Sequence, residues 1–157
     1  MPINNNTLTD DEFKDLKRST AWWWNPPDVD IYARLTPVQF DNLIRSNPGA
    51  SLYCGHVCSR MTDAQFDYCI KVEPWEALSY GHACVRMRDE QFNYCLQKGT
   101  RTVLETSLPH LINRLTDIQF EECLKRTRPP LLVSECIRKK VTPYQKAWVN
   151  QLKIPPK

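Results

Sequence analysis

Three features of the sequence predict an all-α protein built from stacked helical repeats. One phrase returns along nearly the whole chain, each return carries a helix-start signal, and an apolar stripe at helical spacing follows it. The phrase is clearest at Arg60-Met61-Thr62-Asp63-Ala64-Gln65-Phe66-Asp67-Tyr68-Cys69-Ile70. It recurs from Arg34, Arg86 and Arg114, and weaker copies open at Leu8 and Val141. Repeats therefore start near 8, 35, 61, 87, 115 and 141, at spacings of 27, 26, 26, 28 and 26 residues. Chance does not keep such a period, and a period of this size is the mark of a repeat architecture.

The first helix of each copy has its start written in. A Thr followed three residues later by Gln or Glu is a capping box, in which the two side chains satisfy the first free backbone N–H groups. Thr9/Glu12, Thr36/Gln39, Thr62/Gln65, Thr116/Gln119 and Thr142/Gln145 all fit. Pro37 and Pro143 take the first helical position, where a missing N–H does no harm. Asp63, Asp89 and Asp117 sit there in other copies, on the positive end of the helix dipole. Arg88 stands where Thr caps elsewhere, so the fourth copy is expected to start less firmly.

Behind each cap the apolar residues fall at i, i+3 and i+4, as in Phe66, Cys69 and Ile70. The columns are Phe13/Phe40/Phe66/Phe92/Phe120, Leu16/Leu43/Cys69/Cys95/Cys123/Val149 and Ile44/Ile70/Leu96/Leu124. Three cysteines thus share a column with Leu and Val, which assigns them to core packing. A second helix is expected after Asn25-Pro26-Pro27, Pro48, Pro74 and Pro129-Pro130, as in the run from Trp75 to Val85. The fourth copy carries two extra residues near Gly99-Thr100 and has Pro109 inside this helix, which predicts a kink or a break.

Short paired helices cannot bury their apolar faces alone, so the units must stack. The expected architecture is an α-solenoid of about six two-helix repeats in a single domain, 1–157. The polar helix from Thr9 to Thr20 and the helix from Thr142 would serve as its caps. In architecture this resembles the HEAT, armadillo and tetratricopeptide solenoids, with a shorter period and without their signature residues. The Leu-Thr-x-x-Gln-Phe phrase, from Leu8 to Val149, is similar to that of short-repeat proteins of bacteria and their phages. That resemblance implies a helical-repeat fold, no catalytic residues and, as a refinement, a phage-type inhibitor of a host system.

Composition narrows the function classes. No apolar run approaches the ~20 residues of a membrane helix, and Met1-Pro2-Ile3-Asn4-Asn5-Asn6 is no secretory signal. A cytoplasmic protein follows, in the host cytoplasm if it is viral. Seven cysteines are an odd number, and without an export signal they are expected as thiols, not disulfides. The net charge of +3 is uneven: residues 1–78 hold seven Lys/Arg against eleven Asp/Glu, and residues 79–157 hold fourteen against seven.

Candidate chemistry is sparse. His56, His82 and His110 share one column, but stacked helices lie about 10 Å apart, too far for two ligands each ~2.1 Å from one zinc. Cys54 and Cys58, at i and i+4, could offer two ligands, yet nothing nearby completes the site. No metal, cofactor or catalytic residue is expected. A Cys/His nucleophile lacks an oxyanion-hole signal, and no phosphate-binding glycine loop is present.

Binding candidates are richer. Arg34, Arg60, Arg86, Arg114 and Lys140 form a basic ladder at the ends of the second helices, where a cation also suits the dipole. Lys125, Arg126, Arg128, Arg138, Lys139 and Lys140 add charge that the repeat does not require. Trp22, Trp23 and Trp24 cannot all face one core, because helix neighbours diverge by ~100°, and an exposed Trp is a typical interface anchor. The expected function is non-enzymatic binding of another protein, one with an acidic surface, as inhibitor or adaptor, with RNA or DNA binding through the basic half as the alternative.

Overall fold

The structure, a computed structural model, describes residues 7–18, 29–127 and 143. Among these residues there are eleven helices and no strand. They are α1 (Asp10–Arg18), α2 (Val29–Ala33), α3 (Pro37–Ser46), α4 (Pro48–Tyr53), α5 (Gly55–Arg60) and α6 (Asp63–Val72), followed by α7 (Pro74–Ser79), α8 (Gly81–Arg86), α9 (Asp89–Lys98), α10 (Arg101–Leu111) and α11 (Asp117–Arg126). The chain divides into two compact units, Met1–Ala77 and Leu78–Lys157. In the first, α3 packs on α4 and α6, α4 also meets α5 and α6, and α2 meets α5. In the second, α10 packs on α8. Spatial neighbours thus include equivalent helices of successive copies: α3 with α6, α2 with α5, and α8 with α10.

Four helix starts are those the capping boxes predict, while Thr142 and Gln145, with the closing helix expected from them, lie outside the described residues. Gln39, Gln65 and Gln119 accept the N–H of Thr36, Thr62 and Thr116 at 3.0, 2.9 and 2.8 Å. The threonine hydroxyls accept the glutamine N–H groups in return. Thr9 and Glu12 do the same for α1. At Arg88 half of the box survives: Gln91 accepts the Arg88 N–H at 2.7 Å, but a guanidinium has no lone pair for the return bond.

The apolar columns form the core. Phe13, Phe40, Phe66, Phe92 and Phe120 are none more than 6% exposed, and the described members of the Leu/Cys and Ile/Leu columns behind them are equally buried. Burying a side chain of this size contributes roughly 1.5–3 kcal/mol. A further column lies just before each cap: Leu8, Leu35, Met61, Met87 and Leu115 are all buried, at the position from which an apolar side chain fixes the entry of the chain into a helix.

The second helix departs from expectation in both directions. In the second and third copies it is two short helices, broken at Cys54 (φ −74°, ψ 103°) and Tyr80 (φ −114°, ψ 118°). Each break precedes a glycine, Gly55 or Gly81, a residue about 1 kcal/mol poorer than Ala inside a helix. The fourth copy carries Pro109 in the same column, five residues before its Arg, yet α10 runs unbroken from Arg101 to Leu111. Thr100 caps its start, and Leu104, Leu108 and Leu111 are all buried. Apolar burial on both sides of the proline outweighs the hydrogen bond that Pro109 cannot make.

Candidate interaction surface

Two described members of the basic ladder, Arg60 and Arg114, are turned toward the preceding copy. Arg34 instead pairs with Glu12 of its own copy at 3.5 Å. Arg60, the last residue of α5, donates from its guanidinium to the Tyr32 carbonyl at the end of α2. The same guanidinium lies over the Phe40 ring, 4.7 Å from its centroid. Arg114 repeats the arrangement in the other unit. It donates to the carbonyls of Cys84 and Met87, lies 4.4 Å from the Phe92 centroid, and pairs with Asp89 at 3.3 Å. Arg126, at the end of α11, donates to the Leu96 and Gly99 carbonyls at the C-terminal end of α9. Helix ends leave carbonyls without intrahelical partners, and these arginines satisfy them from the next copy.

The other candidates stand as follows. Arg86 is half-buried at the end of α8, and Lys125 is exposed, paired with Glu121 and Glu122 at 3.0 and 2.9 Å. Trp22, Trp23, Trp24, Arg128, Arg138, Lys139 and Lys140 lie outside the described residues.

A second row of contacts joins the copies, one that the helix-start argument did not reveal. The capping glutamines use their other atom: Nε2 of Gln39 donates to the Leu8 carbonyl at 3.0 Å. Nε2 of Gln65 donates to Asp41 at 3.1 Å, and Nε2 of Gln119 donates to Asn93. The signal was present in the sequence as a short polar residue directly after Phe40 and Phe92.

The histidines and cysteines are placed for packing and surface contacts. His56, His82 and His110 are exposed. His82 stacks on Tyr80 at 6.1 Å, and Nε2 of His110 lies 2.7 Å from the Leu78 carbonyl, so that nitrogen carries the proton. Among the described residues no three His, Cys, Asp or Glu side chains gather as a metal site would need. Cys54, Cys58, Cys69, Cys84, Cys95 and Cys123 are buried and stand as thiols. Burial pushes the Cys69 and Cys95 thiols up to about 12 and those of Cys84 and Cys123 up to about 11. A thiol in that range supplies little thiolate, the form that attacks or ligates. Burial first, and neighbouring Cys54 second, raise the Tyr32 hydroxyl as well.

Large apolar side chains do reach the surface. Val38, Val85 and Ile118 are 71, 85 and 75% exposed, and Tyr53, Val72 and Trp75 are about half as much. No helix among the described residues is long and apolar enough to cross a membrane. No protein-family model, no curated protein and no solved structure matches the chain.

Proposed function

We propose that this chain is a non-enzymatic binding protein, a helical solenoid of about six repeats that acts on another protein as inhibitor or adaptor. One observation carries the reading. Hydrogen bonds recur between groups 24 to 31 residues apart, and the same two residue types, Gln and Arg, make them in both units. Contacts that repeat with the sequence period are what stacking produces, and stacked helical repeats present the extended surfaces that such proteins use for binding.

The chemistry-bearing groups support the same reading. The thiols are buried in a form that disfavours thiolate, and Arg60, Arg114 and Arg126 are engaged in holding copies together. Recognition then falls to the residues that differ from copy to copy, including Trp22, Trp23, Trp24 and the exposed Val38, Val85 and Ile118. The setting is the cytoplasm, that of a host cell if the protein is viral.

Fourteen Lys/Arg against seven Asp/Glu in residues 79–157 favour a second reading, RNA or DNA binding. Affinity capture with mass spectrometry separates the two. A stoichiometric protein partner, lost when Trp22, Trp23 and Trp24 are changed to Ala, is the expected result. Recovery of nucleic acid alone, released by moderate salt, would overturn it.

A further inference from the structure

The turn that joins the third copy to the fourth departs from the other turns at two exposed positions. Directly before the ladder cation the other copies have Ala33, Ser59, Asn113 and Lys139, whereas this one has Val85. Val85 is 85% exposed, more than any other large apolar side chain among the described residues. Two residues past Arg86, where every other copy has Thr as its helix cap, stands Arg88. It too is exposed. A guanidinium accepts no backbone N–H, and its charge sits at the positive end of the α9 dipole. Val85 and Arg88 thus depart from what the repeat requires, three residues apart, and local rules are broken mostly where function asks for it.

The surface beside them is open. Gly81 and His82 stand four and three residues before Val85, on one face of α8. All three are exposed, while Ala83 and Cys84 turn inward. A Cβ on Gly81 would meet nothing within 4 Å. The stacked rings of Tyr80 and His82, 6.1 Å apart, continue the patch at the start of the helix. From Leu78 to Arg88 there is no Asp or Glu, and Arg86 and Arg88 add positive charge. Asp89 and Glu90 follow, but Asp89 is taken up by Arg114 at 3.3 Å.

We propose that Val85 and Arg88 are the centre and the rim of a docking surface for an acidic protein segment, one that carries an aliphatic or aromatic side chain between Asp or Glu residues. The apolar side chain covers Val85 beside the open backbone of Gly81, and a carboxylate meets Arg88. Burial of the valine supplies the attraction, and the rim charge fixes register and speeds encounter. The surface rests on the reading of the chain as a protein-binding module and gives the partner its chemistry. Phosphates of a nucleic acid would meet Arg88 but gain nothing from Val85.

Selection of a random peptide library on the full chain tests this. The enriched peptides are expected to hold Asp or Glu on both sides of a Leu, Ile, Phe or Trp. For one such synthetic peptide, Val85→Ser and Arg88→Thr should each weaken binding about tenfold or more, while Val72→Ser leaves it unchanged. Arg88→Thr also restores the cap of the other copies, so its thermal midpoint should rise as binding falls. A purely structural role for Arg88 does not produce that pairing. Peptides that bind both variants as well as wild type overturn the surface and leave the binding reading standing, and so does an enriched set without acidic residues. If no peptide is enriched the surface falls, and if labelled oligo(U) binds instead, the protein-binding reading falls with it.

Discussion

In the unit Met1–Ala77, Arg60 reaches one carbonyl, that of Tyr32, and rests on Phe40. In the unit Leu78–Lys157, Arg114 reaches two carbonyls, rests on Phe92 and adds an ion pair to Asp89. The same column therefore joins copies in both units through one carbonyl of the preceding copy, and Arg114 adds further contacts within its own copy. Part of the inequality is legible one helix position away: Asp89 opens α9, whereas Pro37 opens α3 and offers no carboxylate. The surroundings differ more widely, since the first half of the chain is acidic and the second basic. A shared column performs the structural task, and the residues around it are free to differ.

The comparison is broken most directly by removing the arginines. Arg114→Ala is expected to lower stability by about 3 kcal/mol and Arg60→Ala by about 2, from one or two charged hydrogen bonds and a cation–π contact discounted for exposure. Lysine should rescue neither fully, because a single ammonium cannot reproduce the planar fork. Urea titration reads both values, and equal losses would erase the distinction between the units.

Two features of the second unit sharpen the contrast. A Cβ on buried Gly99 would stand 3.0 Å from Leu78 Cδ1 and 3.3 Å from Leu104 Cδ2 and from the Cys95 carbonyl. Gly99→Ala should therefore cost about 1–3 kcal/mol through overpacking, whereas Gly81→Ala, with nothing within 4 Å of the added carbon, should not. Ser107 buries a hydroxyl that finds no partner. Ser107→Ala should stabilise by about 1 kcal/mol, raising the thermal midpoint.

The smallest effect belongs to the first unit and to acid. The Arg45 hydrogen bond first, and that of Gln65 next, hold the Asp41 carboxyl below its usual range. Thr9 does the same for Glu12, with a smaller share from Arg34. A carboxylate whose folded pKa is depressed contributes stability above its unfolded pKa, and this is lost as pH falls through the folded value. Thermal midpoints measured from neutral to acidic pH should fall, and less steeply for Asp41→Asn. An identical slope in that variant would remove Asp41 from the account.

How much of this could be read from the chain alone follows from the reach of each interaction. Thr62 and Gln65 lie three residues apart, so their capping box is a local fact. Phe66, Cys69 and Ile70 define a buried stripe by spacing alone. The second role of Gln65 depends on Asp41, 24 residues earlier, and the role of Arg60 on Tyr32, 28 residues earlier. Local pattern supplies the donor in such cases but not its target. The second helix failed for another reason: Gly55, Gly81 and Pro109 occupy one column, and packing decides which of them ends a helix. The breaks at Cys54 and Tyr80 follow the poor helix propensity of Gly55 and Gly81, whereas the continuity of α10 through Pro109 is an outcome of burial, which propensity does not register.

The central claim is that successive copies stack through their repeating Gln and Arg contacts. Side-chain NMR of the intact chain tests it most directly, through contacts of the Arg60 guanidinium with Tyr32 and of the Arg114 guanidinium with Cys84. Stacked copies give both contacts, one in each unit. Guanidinium contacts confined to residues of their own copies, such as Phe40 and Phe92, would contradict the claim.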